Sequence, residues 1–127
     1  MKDAVISAIE GVRVTFPGTR LIVEPDGQGG AYIRVEDIEL SSSYEPQQSW
    51  LGGHFPASLP YADIYPVFLR GDLRRSNGTP LQPPITSGQT FMGLSATQVS
   101  RRSNARNPDI ETAAMKLLKV LSWVNSQ

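Results

Sequence analysis

With 127 residues the chain fits one domain, residues 1–127, around one core. Twelve basic and twelve acidic residues cancel, which argues against a polybasic membrane anchor or a tail that grips nucleic acid. Cysteine is absent, so disulfides, thiolate nucleophiles and cysteine-ligated metals are all excluded.

From Asp3 onward, Val5, Ile6, Ile9 and Val12 recur at helical spacing, and Glu10 and Arg13 fall on the other face. The spacing predicts an amphipathic helix over 3–14, with Asp3 as its cap and Pro17-Gly18 as its end. Leu21-Ile22-Val23 is a short strand. Pro25-Asp26-Gly27-Gln28-Gly29-Gly30 has the glycine content of a hairpin turn. The second strand, 31–40, puts Ala31, Ile33 and Val35 on one face and Tyr32, Arg34 and Glu36 on the other. Ile38 and Leu40 then have the wrong parity, which predicts a bulge near Asp37 or a strand whose far end is covered on its other side.

Residues 41–46 read as a loop, and 47–55 as a third strand with Trp50, Gly52 and His54 on one face and Leu51, Gly53 and Phe55 on the other. Pro56, Pro60 and Pro66 then forbid a helix or a central strand at their positions. Phe55, Leu59, Ile64, Tyr65 and Phe68 carry apolar surface worth about 25 cal/mol per Å² on burial, so this crossing is expected to pack against a sheet and to lead into a fourth strand at 67–69. Asn77-Gly78, Pro80, Pro83-Pro84 and Ser87-Gly88 make 74–90 a long loop. Phe91 to Val99 fits a short strand or a helical turn equally. Asn107-Pro108-Asp109 has the residues of a helix start, and Ile110, Ala113, Ala114, Leu117, Leu121 and Val124 follow one face of the final helix. The expected class is α+β: an N-terminal helix, a four-stranded antiparallel meander, a long loop, and a C-terminal helix packed on one face of the sheet.

The helix-then-meander order resembles the ubiquitin-conjugating enzyme (UBC) fold and its RWD relatives, with Phe55-Pro56-x-x-Leu59-Pro60 leaving the third strand and a proline at the entry to the fourth. Asp63-Ile64-Tyr65-Pro66-Val67-Phe68, then Leu73, Asn77-Gly78-x-Pro80 and Ser100-Arg101 ahead of a single C-terminal helix, is similar to divergent bacterial members encoded beside ubiquitin-like proteins and activating enzymes. That resemblance implies a cytoplasmic component of a ubiquitin-like conjugation pathway, antiphage defence being one setting, with a ubiquitin-like protein and an activating-enzyme-like protein as partners and no cofactor. No leader opens the chain and no apolar run nears the roughly 18 residues of a membrane span, which fits that location.

The family's His-Pro-Asn tripeptide is replaced by the Asp72-Leu73-Arg74-Arg75 region. Leu81 stands about where its catalytic cysteine would be, and leucine forms no acyl intermediate. A carrier would therefore need a hydroxyl and would hold the ubiquitin-like C-terminus as an oxyester. Ser76 and Thr79 are nearest by position, with Thr86 and Ser87 beyond. Ser100 is the other candidate, because the Ser100-Arg101 pair resembles one in the divergent members and arginine can stabilise an oxyanion. His54, the only histidine, is the candidate base, and alone it cannot complete a metal site. Arg74, Arg75, Arg101 and Arg102 are candidate contacts to an acidic partner. The alternative to a carrier is a non-catalytic UBC/RWD-type module that docks an activating enzyme, a ubiquitin-like protein or a partner subunit.

Overall fold

The computed structural model describes residues 1–104 and 106–127. Helix α1, Asp3–Thr15, buries Val5, Ile9 and Val12 of the expected stripe, but Ile6 points to solvent and is 44% exposed. Its N-cap position falls on Lys2, which makes no side-chain cap. Asp3 instead sits in the first turn, where its charge complements the helix dipole rather than capping.

Four strands follow the expected meander. They are β1 (Leu21–Pro25), β2 (Ala31–Glu39), β4 (Gln48–Phe55) and β5 (Val67–Arg70), each antiparallel to the next. The alternation in β2 is as read: Ala31, Ile33 and Val35 are buried, and the register shifts between Val35 and Ile38. Asp37, at φ 57°, takes up the slip, so Ile38 returns to the core face and is buried.

The long loop over 74–90 is not what forms. Arg74–Arg75 is a strand, β6, paired with β3 (Tyr44–Glu45), which lies inside the expected 41–46 loop. Ile85–Phe91 is strand β7 and Leu94–Val99 is β8, a hairpin that extends the sheet to the order β1-β2-β4-β5-β8-β7. The sheet therefore has six strands, and its order departs from a meander after β5: the later strand of the hairpin, β8, pairs with β5, and β7 lies at the edge. Thr, Ser, Gly and Gln dominate β7, whose mid-strand side chains are largely exposed. Its place is held by main-chain pairing to β8 and by Ile85 and Phe91, buried at its two ends. The undecided 91–99 segment resolves as the second strand of this hairpin.

The final helix also starts later than expected. Asn107 closes only one turn, its carbonyl accepting from the amides of Ile110 and Glu111 and its side chain from Asp109. Helix α2 is Ala113–Asn125, capped by Thr112, whose hydroxyl accepts from the Met115 amide at 3.2 Å. Ile110 is consequently 66% exposed rather than part of the core stripe.

The helices share one face of the sheet. Gly53 lets this layer close: a Cβ there would stand 2.7 Å from Ile64 of the proline crossing and 3.7 Å from Leu117 of α2. Phe55, Leu59 and Ile64 are buried, so the crossing packs under the helices between antiparallel β4 and β5. The other sheet face carries Tyr32, Trp50, Phe68 and Phe91. Phe91 stacks on Phe68 at 4.6 Å and on Trp50 at 6.0 Å. Among the described residues no helix is long and apolar enough to cross a membrane.

Candidate functional site: an arginine edge carried on aromatic rings

After β8 the chain runs along the sheet end toward α2, and two buried ion pairs hold it there. Lys116 of α2 is 2% exposed, and its ammonium donates to Asp63 Oδ2 (3.1 Å), the Arg101 carbonyl (2.7 Å) and the Ser103 hydroxyl (2.9 Å). Three donors meet three acceptors, which is what a buried ammonium requires. Asp63 also accepts from the Ser103 amide. Arg106 donates to the Pro60 and Tyr61 carbonyls and to the Glu111 carbonyl, and its Nε faces Glu111 Oε2 at 3.4 Å. Together the clamps tie Arg101, Ser103, Arg106 and Glu111 to the proline crossing and α2.

This anchored segment presents Arg101 and Arg102. The Arg101 guanidinium lies 4.2 Å from the centroid of Trp123, and that of Arg102 lies 3.9 Å from Tyr65. Such cation–π seats fix a planar cation and leave its N–H edge outward. Ion pairs in this half of the chain use Arg70, Arg74, Arg106, Lys116 and Lys119. Among the described residues neither Arg101 nor Arg102 meets a carboxylate. With Ser103, Asn104, Lys116 and Lys119 they line a cleft of about 240 Å³. The role of Trp123 as a seat for arginine was not legible in the sequence, because it needs the turn after β8 to pass beside the last turns of α2.

The other predicted arginines lie elsewhere. Arg74 on β6 pairs with Glu45 at 3.1 Å, and Arg75 sits 5.0 Å over Tyr44. The Tyr44 hydroxyl is buried and donates to the Val124 carbonyl at 2.8 Å. Burial raises its pKa above the ordinary tyrosine value, partly offset by Arg75. Arg70 holds Asp72 in a two-pronged contact at 2.6 and 3.1 Å, and that contact lowers the Asp72 pKa. Asp63 and Asp72 thus serve different cations and form no catalytic pair.

Three of the candidate hydroxyls have a local partner. Ser76 donates to the Ser42 carbonyl at 2.7 Å, and Thr79 donates to the Asn77 side-chain oxygen at 2.7 Å. Ser100 accepts from the Gln98 amide group at 2.8 Å, and its backbone amide donates to Pro84. Thr86 and Ser87 are exposed on β7.

His54 is occupied by another duty. Its Nε2 lies 2.7 Å from Asp26 Oδ2, and its ring stacks on Tyr32 at 4.7 Å. Asp26 Oδ1 meanwhile accepts from the amides of Gln28 and Gly30. The pair therefore locks the β1–β2 turn onto β4, and the hydrogen bond from His54 is the main cause that lowers the Asp26 pKa.

Among the described residues no three His, Asp or Glu side chains gather as metal ligands. No family model, no curated protein and no solved structure matches the chain.

Proposed function

We propose that the chain is a non-catalytic docking module of UBC/RWD-like architecture in a bacterial ubiquitin-like conjugation pathway. It binds an acidic surface of an activating enzyme, a ubiquitin-like protein or a partner subunit through the Arg101–Arg102 edge. The observation that carries this reading is the pair of guanidiniums seated on Trp123 and Tyr65 without a carboxylate on either. Preset arginine forks lose little side-chain freedom when a partner carboxylate or phosphate arrives, which is the economy of a recognition surface.

Transfer chemistry has less support. Accepting an acyl group on a hydroxyl needs a base to take its proton. The hydroxyl partners of Ser76 and Thr79 are a backbone carbonyl and a carboxamide, neither of them a base at neutral pH. The imidazole that sequence reasoning nominates is bonded to Asp26.

The deciding experiment incubates the chain with a cognate activating enzyme and ubiquitin-like protein, plus ATP. Docking gives a stable complex that Arg101→Gln with Arg102→Gln dissolves, and no covalent adduct. A carrier instead gives an adduct that resists thiols and is cleaved by hydroxylamine, and Ser76→Ala, Thr79→Ala or Ser100→Ala then finds the acceptor. An adduct of that kind overturns the docking reading.

A further inference from the structure

Counting charge around the 240 Å³ cleft gives its ligand class. Four of its lining residues are cations: Arg101, Arg102, Lys116 and Lys119. Lys116 is balanced by Asp63 at 3.1 Å and Lys119 by Glu111 at 3.2 Å. Glu111 is shared with Arg106 at 3.4 Å, and among the described residues the two arginines meet no carboxylate, so the concavity keeps at least two uncompensated positive charges. Their forks are held from behind by Trp123 and Tyr65, and the exposed Asn104 adds a side-chain amide at the same cleft. A carboxylate carries one negative charge and is satisfied by a single fork. A phosphomonoester carries close to two at neutral pH and presents three acceptor oxygens.

We infer that this cleft binds the phosphate of a phosphorylated side chain on the partner protein. The inference rests on the docking reading for its partner and adds that the acidic group received is a phosphomonoester. The two seated guanidiniums grip the phosphate from adjacent positions, one on the α2 side through Trp123 and one on the crossing side through Tyr65. Arg74 and Arg75 have the same formal charge but line a different cleft, with Thr79 and Leu81, so they provide an internal control.

The test titrates the 127-residue chain with a short neutral peptide carrying one phosphoserine, with the same peptide carrying glutamate in its place, and with inorganic phosphate. Binding is read by amide chemical shifts at Arg101 to Asn104 and by Trp123 fluorescence. The expected result is saturable one-to-one binding of the phosphopeptide, at least tenfold tighter than the glutamate peptide. Arg101→Gln with Arg102→Gln weakens it at least tenfold, and Arg74→Gln with Arg75→Gln leaves it within twofold. Both arginines of each pair lie at the surface, and matching amide spectra away from the substitutions verify that the variants are folded.

Equal binding of the glutamate peptide overturns the inference, as does equal loss in the Arg74/Arg75 variant, which reports only overall charge. Saturation by inorganic phosphate with none by the phosphopeptide also overturns it, since the source is then a free anion. A chain that ignores phosphopeptide yet still binds its activating enzyme or ubiquitin-like protein through Arg101 and Arg102 refutes the phosphate and leaves docking intact. Loss of that complex, with phosphopeptide binding retained, does the reverse.

Discussion

The ammonium of Lys116 lies 3.1 Å from Oδ2 of Asp63, a residue 53 positions earlier in the chain. One is on the C-terminal helix and the other in the proline crossing, and the same ammonium fixes the carbonyl of Arg101 at 2.7 Å. The contact that holds α2 against the crossing thus also sets where the arginine edge begins.

Replacing Lys116 by Met keeps most of the volume and removes the charge, leaving the Asp63 carboxylate, 17% exposed, without its cation. Breaking one side of a buried pair costs about 3–5 kcal/mol, and the partial exposure of Asp63 puts this variant near 3 kcal/mol by urea denaturation. Adding Asp63→Asn to it recovers about 1 kcal/mol or more, because the stranded charge is then gone. A double variant no more stable than Lys116→Met contradicts a charge-based origin.

Gly53→Ala tests the closure of the crossing on the sheet. The new methyl group would stand 2.7 Å from Ile64 Cγ2, and Ile64 is wholly buried. Overpacking of this kind costs about 1–3 kcal/mol, read as a lower denaturant midpoint. A neutral result means that the crossing lifts off β4 without penalty.

The start of α2 separates two caps. Thr112→Ala removes the acceptor for the Met115 amide and is expected to cost about 1 kcal/mol. Asn107→Ala opens an exposed turn and costs less than half as much. The reverse ranking places the helix start at the earlier asparagine.

Acid should loosen the β1–β2 turn. His54 foremost, then the Gln28 amide, hold the Asp26 pKa below its ordinary value of 3.8. A depressed folded value means that the carboxylate's contribution is complete above the unfolded pKa and is lost as pH falls through the lower folded one. Asp26→Asn therefore melts lower than the parent at pH 6, and the gap narrows as pH drops below about 4. Melting curves from pH 6 to pH 2 check this, and a gap that stays constant to pH 2 refutes it.

Local pattern carried much of this architecture. Alternation along 31–35 named the buried face of β2, and the parity break at Ile38 named the bulge that Asp37 accommodates with φ 57°. The periods of Val5, Ile9 and Val12, and of Ala113, Ala114, Leu117 and Val124, named most of the core stripes of both helices, while Ile6 and Ile110, read onto the same stripes, are exposed. Three prolines kept 56–66 out of the sheet, because a residue that fixes φ and lacks an N–H acts wherever it stands. Side-chain period and imino chemistry are properties of the chain itself, so they survive without a tertiary context.

Only the folded chain decided the rest. Strand β7 has little apolar period, and it forms because β8 offers it a main-chain partner. Asn107 has the residues of a helix start, yet α2 waits for Thr112 while Arg106 holds the Glu111 carbonyl and the crossing. His54 is bonded to an aspartate 28 positions away, and Arg101 is laid on Trp123. Each of these depends on groups that meet only after the sheet closes. Composition and spacing could therefore name the arginines, but not where they sit or what they leave free.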